Sequence, residues 1–244
     1  MVTITVLGSK GGTGKSTTAF LLGWVIEHCT LHPTGWIDID IRSATLTESY
    51  NNRKKILGQD VPKLFFSALR DVGAYDQDEI NKRLIKQLEE TSEEEAHVFV
   101  VDTPPDVSFK PFLTVLHRSQ IAVLPAFLST LIVPNVVKVA KALLPWKEKD
   151  GKRRIFILPI GATNGAVRSK NEELSLNWLK EIDAGIEVLN PIPLSNNIPL
   201  CVASGIYPTE WTDDKYRQKK GSELHSAIRQ AFKPIEECIE QIYE

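Results

Sequence analysis

Short β-branched and apolar runs alternate along the chain with longer segments in which apolar residues recur at three- and four-residue spacing. The short runs lie at Thr3–Leu7, Trp36–Asp40, Val98–Asp102, Ile121–Pro125, Arg154–Ile160 and Glu187–Leu189, and they read as strands. Helical spacing is found after Gly14, within Val61–Asp71, within Asp78–Glu90, after Lys110, within Leu131–Leu144, within Ser169–Ile182, and from Ser222 nearly to the end. Pro234 cannot donate the amide hydrogen that a helix interior uses, so it is expected to kink or split the last helix. The alternation predicts an α/β fold, a doubly wound and mostly parallel sheet with helices on both faces. With no internal repeat, low-complexity tract or linker, residues 1–244 are expected to form a single domain that includes a C-terminal helix of about 220–243.

Composition narrows the class without choosing a function. Apolar residues make up 42% and charged residues 25%, with a formal net charge of -2 and a pI near 6.2. This is the balance of an ordinary soluble globular protein, and it announces neither a nucleic acid nor a membrane. Cys29, Cys201 and Cys238 are far apart and lack metal-ligand spacing, which suits reduced thiols used for packing. The chain opens on a β-like segment instead of a basic and apolar leader, and no apolar run is long enough to span a bilayer. A cytoplasmic location is expected.

The chemistry is concentrated in "VLGSKGGTGKSTT" near the start. A phosphate-binding Walker A loop reads GxxxxGK[ST]: backbone N–H groups cradle phosphates, the lysine reaches the β/γ oxygens and the hydroxyl binds magnesium. Gly14, Lys15 and Ser16 match its end, but Ser9 stands where the first glycine should be, and a second lysine, Lys10, opens the loop. A strand enters and an amphipathic helix leaves, so the helix N-terminus favours an anion. The expected ligands are ATP and Mg2+, with Gly11, Gly12, Thr13, Gly14, Lys15, Ser16 and Thr17 around the nucleotide.

"SKGGTGKST" resembles the deviant Walker A loop of the ParA/MinD group of ATPases. That resemblance implies that Lys15 serves the protomer's own ATP, whereas Lys10 reaches the nucleotide of a partner in an ATP-dependent homodimer. A cation supplied in trans would act as an arginine finger does. "GWIDID" resembles the segment whose second aspartate orients the attacking water, which implies that role for Asp40 and places Asp38 near the magnesium shell. The family's usual Asp-Pro-Gln continuation is replaced here by Ile41-Arg42-Ser43. "HVFVVDTPPD" resembles Walker B followed by switch II, which implies that Asp102 joins Ser16 in holding magnesium through a bound water. Gln120 stands where relatives commonly carry Asp. In "ATNG" and "NPIPLSNN", the resemblance gives Asn164, Pro193 and Leu194 contacts with adenine.

Among the group's functions, the cysteines do not suit an iron-sulfur carrier, and the acidic ending "KPIEECIEQIYE" does not suit a membrane-targeting helix. The leading expectation is a small ParA-like partition ATPase that dimerises on ATP, binds DNA non-specifically and hydrolyses ATP slowly. A small DNA-binding adaptor protein would stimulate hydrolysis, no membrane would be involved, and the DNA-bound form would associate with the nucleoid. A biosynthetic ATP-dependent ligase of the same fold, or an ATPase positioning a protein cargo, are the alternatives. Basic clusters lie at Arg53–Lys55 and Lys152–Arg154 and near the last helix, where Lys215, Arg217, Lys219, Lys220 and Arg229 are the candidate DNA contacts.

Overall fold

Strand β1 (Val2–Val6) is flanked by strands made much later in the chain, β4 (Val98–Asp102) and β5 (Ile121–Phe127), so it sits in the middle of the sheet. The computed structural model describes residues 1–8, 10–30, 32–58, 64–68, 76–91, 96–105, 109–161, 169–182, 185–210 and 220–243, without the side chains of 220–222. With β2 (Thr34–Asp38), β3 (Leu64–Ser67), β6 (Arg154–Gly161), β7 (Glu187–Val188) and β8 (Ile192–Pro193), the sheet has eight strands in the order β3-β2-β4-β1-β5-β6-β7, and β8 also pairs with β6. Every pairing is parallel. Parallel strands need crossover connections, and these put helices on both faces and bury β1, β2 and β4 completely.

The helices divide into two layers. On one face, α1 (Lys15–Cys29), α8 (Asn197–Ser204) and the last helix, α9 (Lys220–Tyr243), join the core of Ile4, Val98, Phe156 and Phe232. On the other, α3 (Gln77–Glu90), α4 (Lys110–Arg118), α5 (Val133–Ala142), the short α6 (Leu144–Glu148) and α7 (Lys170–Lys180) cover Ile37, Phe99, Val101 and Leu124. Among the described residues no helix is long and apolar enough to cross a membrane. Helix α1 was expected to be amphipathic, but it is buried on every side from Thr18 to Ile26, because the run Ala19–Ile26 carries no polar side chain to turn to solvent.

The structure departs from the sequence reading in one expected helix, one helix that was not foreseen and the expected break at Pro234. The region within Val61–Asp71 contains a strand, not a helix: Leu64–Ser67 pairs with Gly35–Asp38 at the sheet edge. The reason is visible in its adjacent aromatics. Phe65 stacks on Tyr50 at 4.1 Å and joins one core, while Phe66 joins the other, and only a strand sends neighbours to opposite faces. Helix α2 (Thr45–Leu57) was not anticipated, because its buried face includes the polar Thr47, Ser49 and Arg53. Pro234 does not split the last helix, which runs through it as one element. The carbonyl that Pro234 leaves without a partner is that of Gln230, an exposed residue that water can serve.

The polar face of α2 is a set of bolts to α8. Ser49 Oγ donates to Val202 O at 2.6 Å, Asn52 Nδ2 to Ala203 O at 2.8 Å and Arg53 Nη1 to Gly205 O at 3.0 Å. These carbonyls lie at the C-terminal end of α8, where a helix has no N–H donors of its own left to pair with them. Arg53 is only 1% exposed, and it also forms a two-pronged pair with Glu210 at 2.6 and 2.8 Å. Gly205 makes the approach feasible: at φ +69 it is left-handed, and a Cβ there would lie 2.1 Å from Ser49 O. Gly205→Ala therefore forces α2 and α8 apart. It should cost about 3–5 kcal/mol and lower the melting temperature by roughly 6–15 °C, read by circular dichroism.

Candidate nucleotide site

The residues singled out for phosphate chemistry gather at the carboxyl edge of the sheet, where open α/β sheets bind ligands. The phosphate loop leaves β1 and enters α1 through Gly14, whose φ of +88 a side chain would strain and whose Cβ would press on Ile160 at 3.1 Å. Helix α1 starts with no side-chain cap and no acidic residue in its first turn, so its leading N–H groups remain directed at an anion. Lys15 is only 5% exposed. Its ammonium donates to the Lys10 carbonyl at 3.3 Å, and Thr13 Oγ1 donates to the same oxygen at 3.2 Å. The Lys10 backbone is thereby fixed from inside the loop, while its side chain is exposed and meets no partner among the described residues.

Strand register brings two carboxylates side by side, because Asp38 of β2 pairs with Asp102 of β4. Asp102 is wholly buried, and neither of its oxygens has a hydrogen-bond partner. Desolvation and the neighbouring Asp38 charge push its pKa well above the usual carboxylate range. The Ser16 hydroxyl, which approaches without completing a hydrogen bond, and Lys15 oppose that shift. Asp38 differs, since both its oxygens are engaged: Oδ1 accepts from Asp40 N at 3.0 Å, and Oδ2 accepts from Thr47 N at 2.8 Å and Thr47 Oγ1 at 2.7 Å. Burial nonetheless raises its pKa to about 6.

Asp40 closes the turn that follows β2. Its Oδ1 accepts from Arg42 N at 3.1 Å and Ser43 N at 3.3 Å, and its Oδ2 accepts from Ser43 Oγ at 2.9 Å. The departure Ile41-Arg42-Ser43 thus has a local logic. Ser43 supplies a hydroxyl to the carboxylate, and Ile41 packs on the second core. Gln120 likewise serves the sheet, its Oε1 accepting from Thr3 N at 2.8 Å.

Pro193 and Leu194 lie at the same carboxyl edge, with Leu194 N donating to Gly161 O at the end of β6. Asn164 lies outside the described residues, as do Lys215, Arg217 and Lys219 and the side chain of Lys220. Arg229 is exposed on α9 and close enough to Cys29 to influence its thiol. Cys29 ends α1, so Arg229 stands about 20 Å from the phosphate loop along that helix. Two other basic clusters are partly consumed internally: Arg53 is buried, and Arg153 donates to the carbonyls of Trp146 and His117. Sequence reasoning missed Thr47, Ser43 and Ser67, since no spacing rule links them to Asp38 or Asp40.

A glycine loop between a central parallel strand and a buried helix, beside paired aspartates on β4 and on β2 beyond it, defines a P-loop ATPase of the ParA/MinD type. More particularly, the chain belongs to the MipZ ATPase family, whose model matches residues 2–124. It is therefore an ATPase. No curated protein sequence matches it. Among solved structures, the ATP complex of a McdA variant from Cyanothece is similar at a TM-score of 0.69 and 17% identity, covering 96% of each chain. A Borrelia burgdorferi B31 protein assigned to plasmid partition, bound to AMPPNP, gives 0.65 at 16% identity, covering 96% of this chain and 98% of that one. The cell division ATPase MinD of Pyrococcus furiosus gives 0.65 at 14% identity, covering 96% and 99%. At such identities the likeness is one of fold.

The raised carboxylates make a thermodynamic prediction for the nucleotide-free protein. Asp38 has an ordinary pKa of 3.8 when unfolded and about 6 when folded, so between those values the folded state binds more protons and stability falls as pH rises. Asp102→Asn removes the like-charge neighbour and one buried anion. It should raise the nucleotide-free melting temperature at pH 8 by roughly 2–10 °C and flatten the decline between pH 4 and 7. Calorimetric melts across that range would check both effects.

Proposed function

We propose that this chain is an ATP-driven positioning switch, a homodimer when ATP is bound, which holds DNA non-specifically in that state and lets go after slow, partner-stimulated hydrolysis. The observation that carries the reading is Lys10, exposed at the lip of the phosphate loop with its backbone pinned by Lys15 and Thr13. With Lys15 already turned into the loop to serve the resident phosphates, a second, outward-facing cation is suited to a nucleotide presented by a second copy. Lys15 and the first N–H groups of α1, from Lys15 to Thr17, receive the phosphates of the resident ATP, together with Gly11 to Gly14. Asp40 orients the attacking water, and Asn164, Pro193 and Leu194 flank adenine.

Magnesium suits the carboxylate whose lone pairs are uncommitted. Asp102 and the Ser16 hydroxyl are the side chains that would hold it, with Asp38 beside them but occupied by Thr47 and Asp40. Among the described residues no cluster of three ligand side chains is placed to enclose a metal alone, which accords with an ion that relies on nucleotide oxygens and water. When bound, the ion would neutralise charge between the β- and γ-phosphates. Support for partition or positioning comes from the relatives: a plasmid partition protein and MinD, which also appears in a MinC:MinD complex from Aquifex aeolicus. A small DNA-binding adaptor is the expected stimulating partner. The DNA surface in this reading is Arg229 with Lys215, Arg217, Lys219 and Lys220, doubled in the dimer and strongly salt-dependent.

Two lysine substitutions separate the roles. Lys15→Ala should abolish ATP binding by calorimetry, whereas Lys10→Ala should bind ATP but remain monomeric by light scattering and not turn it over. Equal loss of ATP affinity in both would remove the partner-directed role of Lys10. Labelled random duplex, titrated at low salt with and without a slowly hydrolysed ATP analogue, should bind only the ATP state. Failure to bind in either state would exclude DNA and favour a protein cargo or a ligase.

A further inference from the structure

We propose that Thr47 is a positioning residue for ATP turnover, holding the Asp38 carboxylate and, through it, the backbone of Asp40. The inference rests on the water-orienting role given to Asp40 above. Its starting point is an anomaly at the beginning of α2. The residue in the N-cap position is Ala44, which has no side-chain acceptor and adopts φ +48, the sole positive φ of a non-glycine residue among those described. An alanine held there costs about 1–2 kcal/mol and leaves the leading N–H groups of the helix uncapped.

The missing cap is supplied from outside the helix. Asp38 Oδ2 accepts both the N–H of Thr47, the third residue of α2, and its hydroxyl, at 2.8 and 2.7 Å. Because the Thr47 hydroxyl donates to Asp38, the Ser67 hydroxyl 2.9 Å away donates to Thr47 and ties in the end of β3. The other Asp38 oxygen accepts from the main-chain N–H of Asp40. One buried chain of hydrogen bonds therefore runs from Ser67 through Thr47 and Asp38 to Asp40, and Thr47 itself is only 9% exposed.

The far part of α2 decides what yields when that chain is cut. Ser49, Asn52 and Arg53 fasten the helix to α8, so α2 cannot follow an Asp38 carboxylate that loses the Thr47 hydroxyl and swings on its remaining bonds. Asp38 and Ile39 stay in the sheet, with Ile39 N donating to Asp102 O and Ala68 N to Asp38 O, so the turn from Asp40 to Ala44 is the part left to shift. Its own bonds, from Ala44 N to Asp40 O and from Ser43 to the Asp40 carboxylate, keep it a closed turn that would move as a piece and carry Asp40 along. A catalytic group displaced by a fraction of an ångström loses rate while the ATP cradle, built on β1 and α1, stays intact.

Thr47→Val keeps the shape and the backbone N–H but removes the hydroxyl, and Thr47→Ser retains the hydroxyl. Steady-state ATPase assays on the full chain should give Thr47→Val a kcat about ten- to a hundredfold below wild type with KM for ATP changed less than about threefold, and Thr47→Ser within about twofold of wild type. A wild-type kcat in Thr47→Val, equal impairment of both variants, or rate losses that follow the melting temperature alone would each overturn the proposal. If Thr47→Val does not fold, Ser67→Ala cuts the same chain one bond further out and should lower kcat in the same direction; an unchanged kcat there overturns it as well. Asp40→Ala separates the two levels. Retained turnover in that variant removes the role of Asp40 and this inference together, while lost turnover in Asp40→Ala with full activity in Thr47→Val removes only the inference.

Discussion

Negative charge that the sheet will not allow to separate is the constraint around which this molecule is built. Asp38 and Asp102 are register partners on adjacent strands, Asp40 is two residues beyond, and all three are buried at one edge with Lys15 as the nearby buried cation. Strands bonded on both sides cannot slide to relieve the repulsion, because a shift of one residue would send every core side chain to the wrong face. The hydrophobic layers above and below therefore hold these carboxyls where ionisation is costly, which is why the pKa values of Asp38 and Asp102 are raised. Ligands that bring positive charge or hydrogen-bond donors to Asp102 recover part of that energy. This is how a rigid scaffold stores affinity for a metal–nucleotide pair.

The same logic explains why so much polar material is buried near α2. Asp38 is quieted by donors from Thr47 and Asp40, and α2, which carries Thr47, is fixed in turn by hydrogen bonds to the carbonyls ending α8. The Arg53–Glu210 pair seals that junction in two-pronged geometry, with Glu210 also accepting from Tyr207 N. Arg53 brings its charge out of water but leaves little unsatisfied, the condition under which a buried pair avoids a net penalty. The switch carboxylates and the α8 segment following Leu194 thus belong to one braced unit on the same face of the sheet.

Legibility in the sequence followed the kind of force involved. Positions set by backbone conformation or by continuous apolar burial could be read directly: the loop around Gly14, strands β1, β4 and β5, and the existence, though not the full burial, of helix α1. Helix α2 was invisible to periodicity because the residues that bind it, Ser49, Asn52 and Arg53, are polar and act through hydrogen bonds to carbonyls distant in sequence. Strand β3 is four residues whose face alternation shows only once Phe65 and Phe66 have their separate cores. In the site, Asp38, Asp40 and Asp102 stood out as strand-end carboxylates, but the hydroxyls that orient them did not. Nothing in a linear sequence marks a threonine nine residues on as the partner of an aspartate.

The central place of β1 carries a consequence for how the molecule comes into being. Strand β1 is the one that both halves of the sheet need, yet its neighbours β4 and β5 are synthesised roughly a hundred residues after it, and Ile160, which faces Gly14, later still. Until those segments emerge, the phosphate loop has a sequence but no floor, and β1 presents two unpaired edges. The nucleotide cradle is thus assembled from parts about 150 residues apart, and it is complete only once β6 has joined the sheet beside β5.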